Sequence, residues 1–174
     1  MKQAMLSTPR LAIRHLTLAD AVFMLRLLNE PSWLRFIGDR GVHTLEDAER
    51  YLQQGALENY ARLGFGFCAI DLRSSGVTVG MCGLTQRDYL DSPDIGFAFL
   101  PEHAGQGLAF EAASAVLAHA RETLGLRRIL ATTRLDNQAS QKLLLKLGLK
   151  FERLMRSPDG SRDLQLYAWQ ASGS

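Results

Sequence analysis

The sequence has few cysteines and no cluster of metal-binding residue types. Cys68 and Cys82 are its two cysteines among 174 residues. Both lie in apolar segments that resemble strands, without a CxxC or Cys/His grouping. A disulfide scaffold and a zinc site are therefore poorly supported, and we expect no metal. Free cysteine is usually buried and inert, so we predict two reduced core residues without a redox role.

Long apolar runs and a strong charge of one sign are also missing. No stretch approaches the roughly 18 apolar residues of a membrane span. Residues 1–10 lack the apolar core and cleavage site of a secretory signal, so we expect a cytoplasmic protein with no membrane partner. The net charge is +2, and the Lys and Arg residues are scattered along the chain. This distribution argues against nucleic acid as the main ligand.

The remaining composition is that of an ordinary globular chain, with 47% hydrophobic and 22% charged residues. A chain of this length usually forms one compact domain. No repeat, low-complexity segment or interdomain linker is visible. The sequence therefore predicts a single domain over residues 1–174.

Alternating apolar residues and turn signals predict an α/β (α+β) fold with a mixed, mostly antiparallel sheet of six or seven strands and about four helices. Thr17 with Asp20, and Thr44 with Asp47, are helix start signals. Pro31 is expected to end the first helix, and residues 33–42 to form a loop. The predicted strands cover residues 11–16, 67–72, 78–84, 94–100, 128–134, 149–155 and 164–169. The predicted helices run from about 17 to 29, 44 to 60, 110 to 124 and 137 to 147.

A short glycine-containing loop, Ala104–Ala109, leads from one predicted strand directly into an Ala- and Leu-rich helix. A helix N-terminus offers unpaired N–H groups to an anion, and Gly105 and Gly107 would let a phosphate approach the backbone. A tight turn without a ligand explains the same glycines equally well. The chain contains no Gly-Lys-Ser/Thr of a Walker A loop, and Phe110 stands where a dinucleotide fingerprint needs glycine or alanine.

Two ordered motifs resemble the GNAT superfamily of N-acetyltransferases. The stretch Ala104–Ala109 is similar to that family's pyrophosphate loop, Gln/Arg-x-x-Gly-x-Gly/Ala, with Ala104 replacing the lead Gln or Arg. Asn137–Leu149 is similar to the family's Asn-x-x-Ser-x-x-x-x-x-Lys-x-Gly-Phe segment, with Leu149 in place of Phe. Further matches resemble the ribosomal-protein N-acetyltransferase branch (RimJ/RimL-like). The resemblance spans almost the whole chain.

This resemblance implies the GNAT fold, acetyl-CoA as co-substrate and a primary amine as acceptor. It also implies that one central strand splays from its neighbour and binds the pantetheine arm through its backbone. The cofactor-binding residues that it implies are Phe99, Leu100, Ala104, Gly105, Gln106, Gly107, Leu108, Ala109, Asn137 and Ser140.

The candidate catalytic residues are Ser140 and Asp94. The resemblance places Ser140 near the thioester sulfur as a proton donor, although an ordinary helix-face serine is an equal alternative. Asn137 lies on the same helix face, where it could also be an N-cap. Asp94 begins the strand beside the expected active centre and is a candidate general base. A solvated carboxylate and a water relay are the alternatives for Asp94.

The acceptor is the least determined part of the reaction. In this superfamily the segment containing Trp33 and Phe36 commonly borders the acceptor groove, so both residues are assigned to it. The acceptor amine is either a protein N-terminal α-amino group or a small molecule such as an aminoglycoside, a polyamine or an amino acid. An acetyl-CoA sensor without turnover is a further alternative, because Ala104 removes one expected side chain. Dimers are frequent in the family, and no patch in the sequence demands one.

Overall fold

The computed structural model describes residues 3–173, which form an eight-stranded sheet with the strand order β1-β2-β3-β4-β5-β6-β8-β7. Neighbouring strands are antiparallel except β5 and β6, which are parallel. The predicted domain includes residues 1, 2 and 174, which lie outside the described part. The strands are β1 (Leu6–Ser7), β2 (Leu11–His15), β3 (Phe67–Leu72), β4 (Thr78–Thr85), β5 (Asp94–Phe99), β6 (Arg128–Arg134), β7 (Lys150–Arg156) and β8 (Asp163–Gln170).

Five helical segments pack on the two faces of the sheet within residues 3–173. One of them is a long helix in which α3 continues through a π-helical turn, Gln53–Leu57, into α4. Both predicted capping boxes are present, at Thr17 and at Thr44. The helices are α1 (Ala21–Leu28), α2 (Pro31–Phe36), α3 (Leu45–Leu52), α4 (Glu58–Leu63), α5 (Leu108–Glu122) and α6 (Gln138–Lys146).

The structure corrects the predicted number of elements in two places. The sheet has eight strands rather than six or seven, because β1 pairs at the edge with β2 through Leu6 and Ile13. A two-residue strand is too short to show an alternating pattern. The predicted loop over residues 33–42 is wrong at its start, since α2 occupies Pro31–Phe36. Proline suits the first position of a helix, where no N–H is required. Pro31 therefore follows the end of α1 and also begins α2.

Two hydrophobic layers lie on opposite faces of the sheet. One layer packs α5 against β2 to β6, and it contains Cys68 and Cys82 as free, buried thiols. Burial raises the pKa of the Cys68 thiol to about 12 and that of Cys82 further, which keeps both protonated at neutral pH. The other layer packs the helices from α1 to α4 against Ala69, Met81 and Ala98. Within residues 3–173, no helix is long and apolar enough to cross a membrane.

Candidate functional site

The sheet opens between its two parallel strands. The strands β5 and β6 are bridged at one residue pair, Asp94 with Leu130, whereas β4 and β5 pair over six residues. The amide of Leu130 also donates to the Pro93 carbonyl at 2.9 Å. Beyond Asp94 the two strands diverge, so a gap widens toward their carboxyl ends.

Half of the backbone groups of β5 face this gap. The amide of Leu100 donates to the Val79 carbonyl of β4 at 2.9 Å. Backbone groups of a strand point alternately to its two sides, so those of Ala98 face β4 and those of Phe97 and Phe99 face the gap. Without a neighbouring strand, the latter can bind an extended ligand. Both backbone groups of Leu100 are already occupied, since its carbonyl accepts from the His103 amide, and its side chain is buried in the core.

The predicted phosphate loop lies at the wide end of β5 and leads into α5. Gly105 and Gly107 have φ angles of +76° and +77°, a region that residues with a Cβ rarely adopt. No side chain caps the N-terminus of α5, unlike the N-terminus of α3, which Thr44 caps. A Cβ added to Gly105 would meet no atom within 4 Å. The Ala104 amide donates to the Pro101 carbonyl at 3.1 Å, but from Gly105 onward the loop presents open N–H donors at a helix N-terminus, which is the arrangement that binds phosphates.

The first turn of α5 holds this loop against the segment that precedes β2. Glu111 accepts hydrogen bonds from the Thr8 hydroxyl, from the Arg10 amide at 2.9 Å and from Arg10 Nε at 2.7 Å. The same guanidinium donates through Nη1 to the Gln106 carbonyl at 2.8 Å. Arg10 therefore brings a guanidinium, paired with Glu111, to the loop, where Ala104 contributes no charged side chain. Sequence reasoning missed Arg10, because it lies about a hundred residues from the loop along the chain.

Asn137 and Ser140 lie at the start of α6, directly after the end of β6. The Oδ1 atom of Asn137 accepts a hydrogen bond from the Ser140 amide at 3.2 Å, so Asn137 is the N-cap of this helix. Both side chains are half-buried. The Ser140 hydroxyl makes no hydrogen bond within residues 3–173 and is available to a ligand. The N-cap role leaves the amide nitrogen of Asn137 free to bind one as well.

Asp94 lies where β5 and β6 meet, and its side chain is almost completely buried. Its Oδ2 accepts a hydrogen bond from Arg87 Nε at 3.2 Å, while Oδ1 has no partner within the described chain. Burial raises the pKa of Asp94 to about 6, and the positive charge of Arg87 opposes this rise only in part. An aspartate with this pKa is largely ionised at neutral pH and can take up a proton.

A cavity of about 370 Å³ lies between β4 and the long helix α3–α4. Its wall includes the π-helical turn, and such turns often occur at functional sites. It reaches the neighbourhood of Asp94, because Arg87 lies in its wall. The cavity is lined by Leu16, Met24, Arg40, Tyr51, Leu52, Gln54, Gly55, Ala56, Asn59, Phe67, Met81, Thr85 and Arg87.

Trp33 and Phe36 lie on α2 rather than in a loop, and neither lines this cavity. Trp33 is 4% exposed and packs in the core layer beneath α1 to α4. Phe36 is half-buried, with the Arg35 guanidinium 4.7 Å from its ring centre. Sequence reasoning missed Arg40, Tyr51 and Arg87 as cavity residues. No local pattern marks them, since the fold brings them together from three separate segments.

No group of three or more His, Cys, Asp or Glu side chains within residues 3–173 is arranged to hold a metal ion. The described site consists instead of backbone donors at the α5 loop, the exposed edge of β5, two side chains on α6, and the Arg87–Asp94 pair.

Comparison with known proteins gives consistent matches over nearly the full length. The family described as "Acetyltransferase (GNAT) domain" matches residues 10–150. An uncharacterized N-acetyltransferase of Bacillus subtilis (strain 168), YoaA, is 31% identical over 153 residues, which are 87% of this chain and 85% of that protein.

Solved structures have the same fold. The acetyltransferase from Agrobacterium tumefaciens str. C58 aligns with a TM-score of 0.81 and 25% identity, over 98% of this chain and 96% of that chain. RimL, a ribosomal L7/L12 α-N-protein acetyltransferase in complex with coenzyme A, aligns with a TM-score of 0.83 over 97% and 98% of the two chains. Its 18% identity shows a shared fold alone.

Proposed function

Because this chain belongs to the GNAT family of acetyltransferases, we propose that the gap between β5 and β6 binds acetyl-CoA and that Asp94 and Ser140 assist acetyl transfer to a primary amine. One observation carries the proposal. The free edge of β5 leads directly to the uncapped N-terminus of α5, so one continuous path offers backbone donors to a thioester arm and then to phosphates.

The residues of this path fit the cofactor. The N–H groups of Gly105 to Ala109 hold the pyrophosphate, and Arg10 adds a positive charge beside them. The backbones of Phe97 and Phe99 bind the pantetheine arm. Acetyl-CoA, when bound, supplies the thioester whose acetyl group is transferred. Asn137 contributes its free amide nitrogen from α6.

Two side chains assist the transfer in this proposal, Asp94 as the proton acceptor and Ser140 as a hydrogen-bond donor. An amine must lose a proton to attack a carbonyl group, and the carboxylate of Asp94, with a pKa of about 6, accepts it. The Ser140 hydroxyl donates a hydrogen bond to the departing sulfur, which stabilises the charge that develops there. Preorganised donors at the β5 edge orient the reacting groups, and orientation supplies a further part of the rate.

Two classes of acceptor fit the reaction. The RimJ/RimL-like motifs support a protein N-terminal α-amino group. The cavity beside Asp94 favours a small amine instead, because a volume of about 370 Å³ is within the range of small-molecule sites. We adopt the small amine as the leading candidate.

The test is release of free CoA thiol from acetyl-CoA with a panel of small amines and N-terminal peptides. Ser140→Ala should lower kcat about tenfold or more while leaving the Kd for CoA nearly unchanged. Asn137→Ala, in contrast, should also weaken CoA binding, because it removes the amide nitrogen proposed to contact the cofactor. Gln138→Ala, which changes an exposed residue of the same helix, is the matched control and should be neutral.

Two results would contradict this function. Tight CoA binding without thiol release across the whole panel would indicate the acetyl-CoA sensor. Full activity of Ser140→Ala would remove Ser140 from the mechanism. A single domain over residues 1–174, a cytoplasmic location, homodimer formation and membership of the RimJ/RimL-like branch are further parts of the proposal, and they rest on the sequence.

A further inference from the structure

We propose that the acceptor is a small amine that carries a carboxylate, and that Arg40 and Arg87 bind this carboxylate in the cavity between β4 and α3–α4. The inference rests on the proposed transferase function and adds the chemical class of its acceptor. It excludes polyamines and aminoglycosides, whose additional charges are positive.

The position of the cavity connects it to the reacting centre. Its wall residues Met81 and Thr85 on β4 are the register partners of Ala98 and Asp94 on β5. Ala98 packs in the same core layer as Met81, on the face of the sheet that carries α3. An amine bound in the cavity therefore lies beside the segment of β5 that borders the gap.

The charge of the cavity is positive. Its wall contains two arginines and no carboxylate. Arg87 pairs with Asp94 behind the wall, whereas Arg40 makes no ion pair or hydrogen bond with any residue from 3 to 173. The neighbouring Asp39 contacts His43 instead. One guanidinium charge therefore remains without a counter-charge at the cavity.

Tyr51 lies in the same cavity wall as Arg40 and Arg87, which agrees with both guanidinium groups facing one space. Burial raises the pKa of its hydroxyl, and the positive charges of Arg40 and Arg87 oppose that rise. Both arginines are thus close enough to act on one phenol group in the cavity wall. A planar guanidinium matches a carboxylate with two parallel hydrogen bonds.

The π-helical turn shapes the remaining wall. It directs Gln54 and Gly55 to the cavity, and a Cβ added to Gly55 would meet no atom within 4 Å. The missing side chain keeps this part of the wall open. Gln54 and Asn59 add side-chain amides, which both donate and accept hydrogen bonds, so the preference for an anion comes from the two arginines.

Binding of matched probes to the CoA-saturated protein tests the inference without requiring turnover. The probes are γ-aminobutyrate, its carboxamide and 1,4-diaminobutane, which share one chain length and differ at one end. We expect the carboxylate to bind at least about tenfold more tightly than the carboxamide, because a charge-assisted pair replaces a neutral one. The diamine should bind most weakly. Calorimetry or thermal shift gives the three dissociation constants.

Variants of Arg40 assign the effect to the cavity. Arg40→Gln should remove most of the preference for the carboxylate, because the remaining arginine, Arg87, is already paired with Asp94, and Arg40→Glu should reverse the preference in favour of the diamine. Both should fold, since Arg40 is exposed and makes no bond that the substitution breaks. Arg50→Gln is the matched control, because Arg50 is an exposed arginine of α3 outside the cavity wall.

Equal binding of the three probes, or a carboxylate preference that persists undiminished in Arg40→Gln, would overturn the inference. Failure of the proposed function looks different. If the carboxylate bound in an Arg40-dependent way but no thiol were released from acetyl-CoA, the anion site would be supported and acetyl transfer would be refuted.

Discussion

Two arginine–aspartate clusters of this protein contain buried aspartates, and they differ in how completely their hydrogen bonds are made. In the first, the Arg14 guanidinium bonds Asp20 through two nitrogens at 2.8 and 2.9 Å and Asp71 through Nε at 2.7 Å. It also donates to the His15 carbonyl and the Thr78 hydroxyl. Almost every donor of Arg14 therefore has an acceptor.

The second cluster, Arg87 with Asp94, is incomplete. One hydrogen bond of 3.2 Å joins the two side chains, and Oδ1 of Asp94 has no partner within residues 3–173. Arg87 is one-third exposed, whereas Arg14 is buried. A saturated buried network fixes structure, while a buried carboxylate with a free oxygen and a raised pKa can exchange a proton. We therefore expect the first cluster to stabilise the fold, and we propose that the second takes part in proton transfer.

The largest effect should follow from Arg14→Met. This change leaves the buried carboxylates of Asp20 and Asp71 without their cation, and removal of one partner from such a network costs about 3–5 kcal/mol. Urea unfolding measures the loss. Arg26→Met, which breaks the exposed contact with Glu102, is the control and should leave the free energy of unfolding almost unchanged. If Arg14→Met left the free energy of unfolding unchanged, the structural role of Arg14 would be refuted.

Asp94→Asn should mainly change the rate. The asparagine keeps the shape of the side chain but cannot accept the amine proton, so kcat/KM should fall by about 100-fold or more. The acidic limb of the wild-type pH–rate profile, with a midpoint near the Asp94 pKa of about 6, should disappear.

Asp91→Asn is the control for this change, since Asp91 is an exposed carboxylate three residues away that pairs with Arg128. It should retain wild-type activity. If Asp94→Asn retained it as well, water rather than Asp94 would accept the proton.

Asp94→Asn should also remove part of the pH dependence of the free energy of unfolding, because asparagine does not titrate. Burial raises the pKa of Asp94 from 3.8 to about 6, so folding favours the protonated carboxyl. Its stabilising contribution is complete below the unfolded pKa and is lost as the pH rises through about 6. Relative to wild type, Asp94→Asn should therefore gain roughly 2 kcal/mol between about pH 4 and pH 8. Urea unfolding at both pH values measures it, and a constant difference would contradict the raised pKa.

The smallest effect should come from Thr78→Val at the edge of the saturated cluster. The Thr78 hydroxyl donates to Asp71 Oδ1 at 2.6 Å and accepts from Arg14 at 3.2 Å. Loss of these bonds should cost about 1–2 kcal/mol without changing kcat. Thr123→Val, at an exposed threonine, should be neutral. A change in kcat with Thr78→Val would contradict the purely structural role expected for the Arg14 cluster.

Much of the fold could be predicted because its signals are local. The capping boxes at Thr17 and Thr44 appear in the structure as expected, and so do the strands predicted at residues 67–72, 78–84 and 94–100, whose ends differ by at most one residue. Strand β1, helix α2 and the π-helical turn were not predicted. The strand β1 is too short for a pattern, α2 begins at a residue usually associated with helix ends, and a π turn depends on tertiary packing rather than periodicity.

The sequence by itself determined the parts of this protein that depend on neighbours in the chain. These are the glycine loop before α5 and the Asn137 N-cap of α6, where backbone conformation and a residue three positions away decide the structure. The tertiary structure decided the single bridge between β5 and β6, the approach of Arg10 to Gln106, and the cavity of Arg40 and Arg87. It also decided the pKa of Asp94, because burial and contacts between distant segments arise only when the sheet and helices pack together.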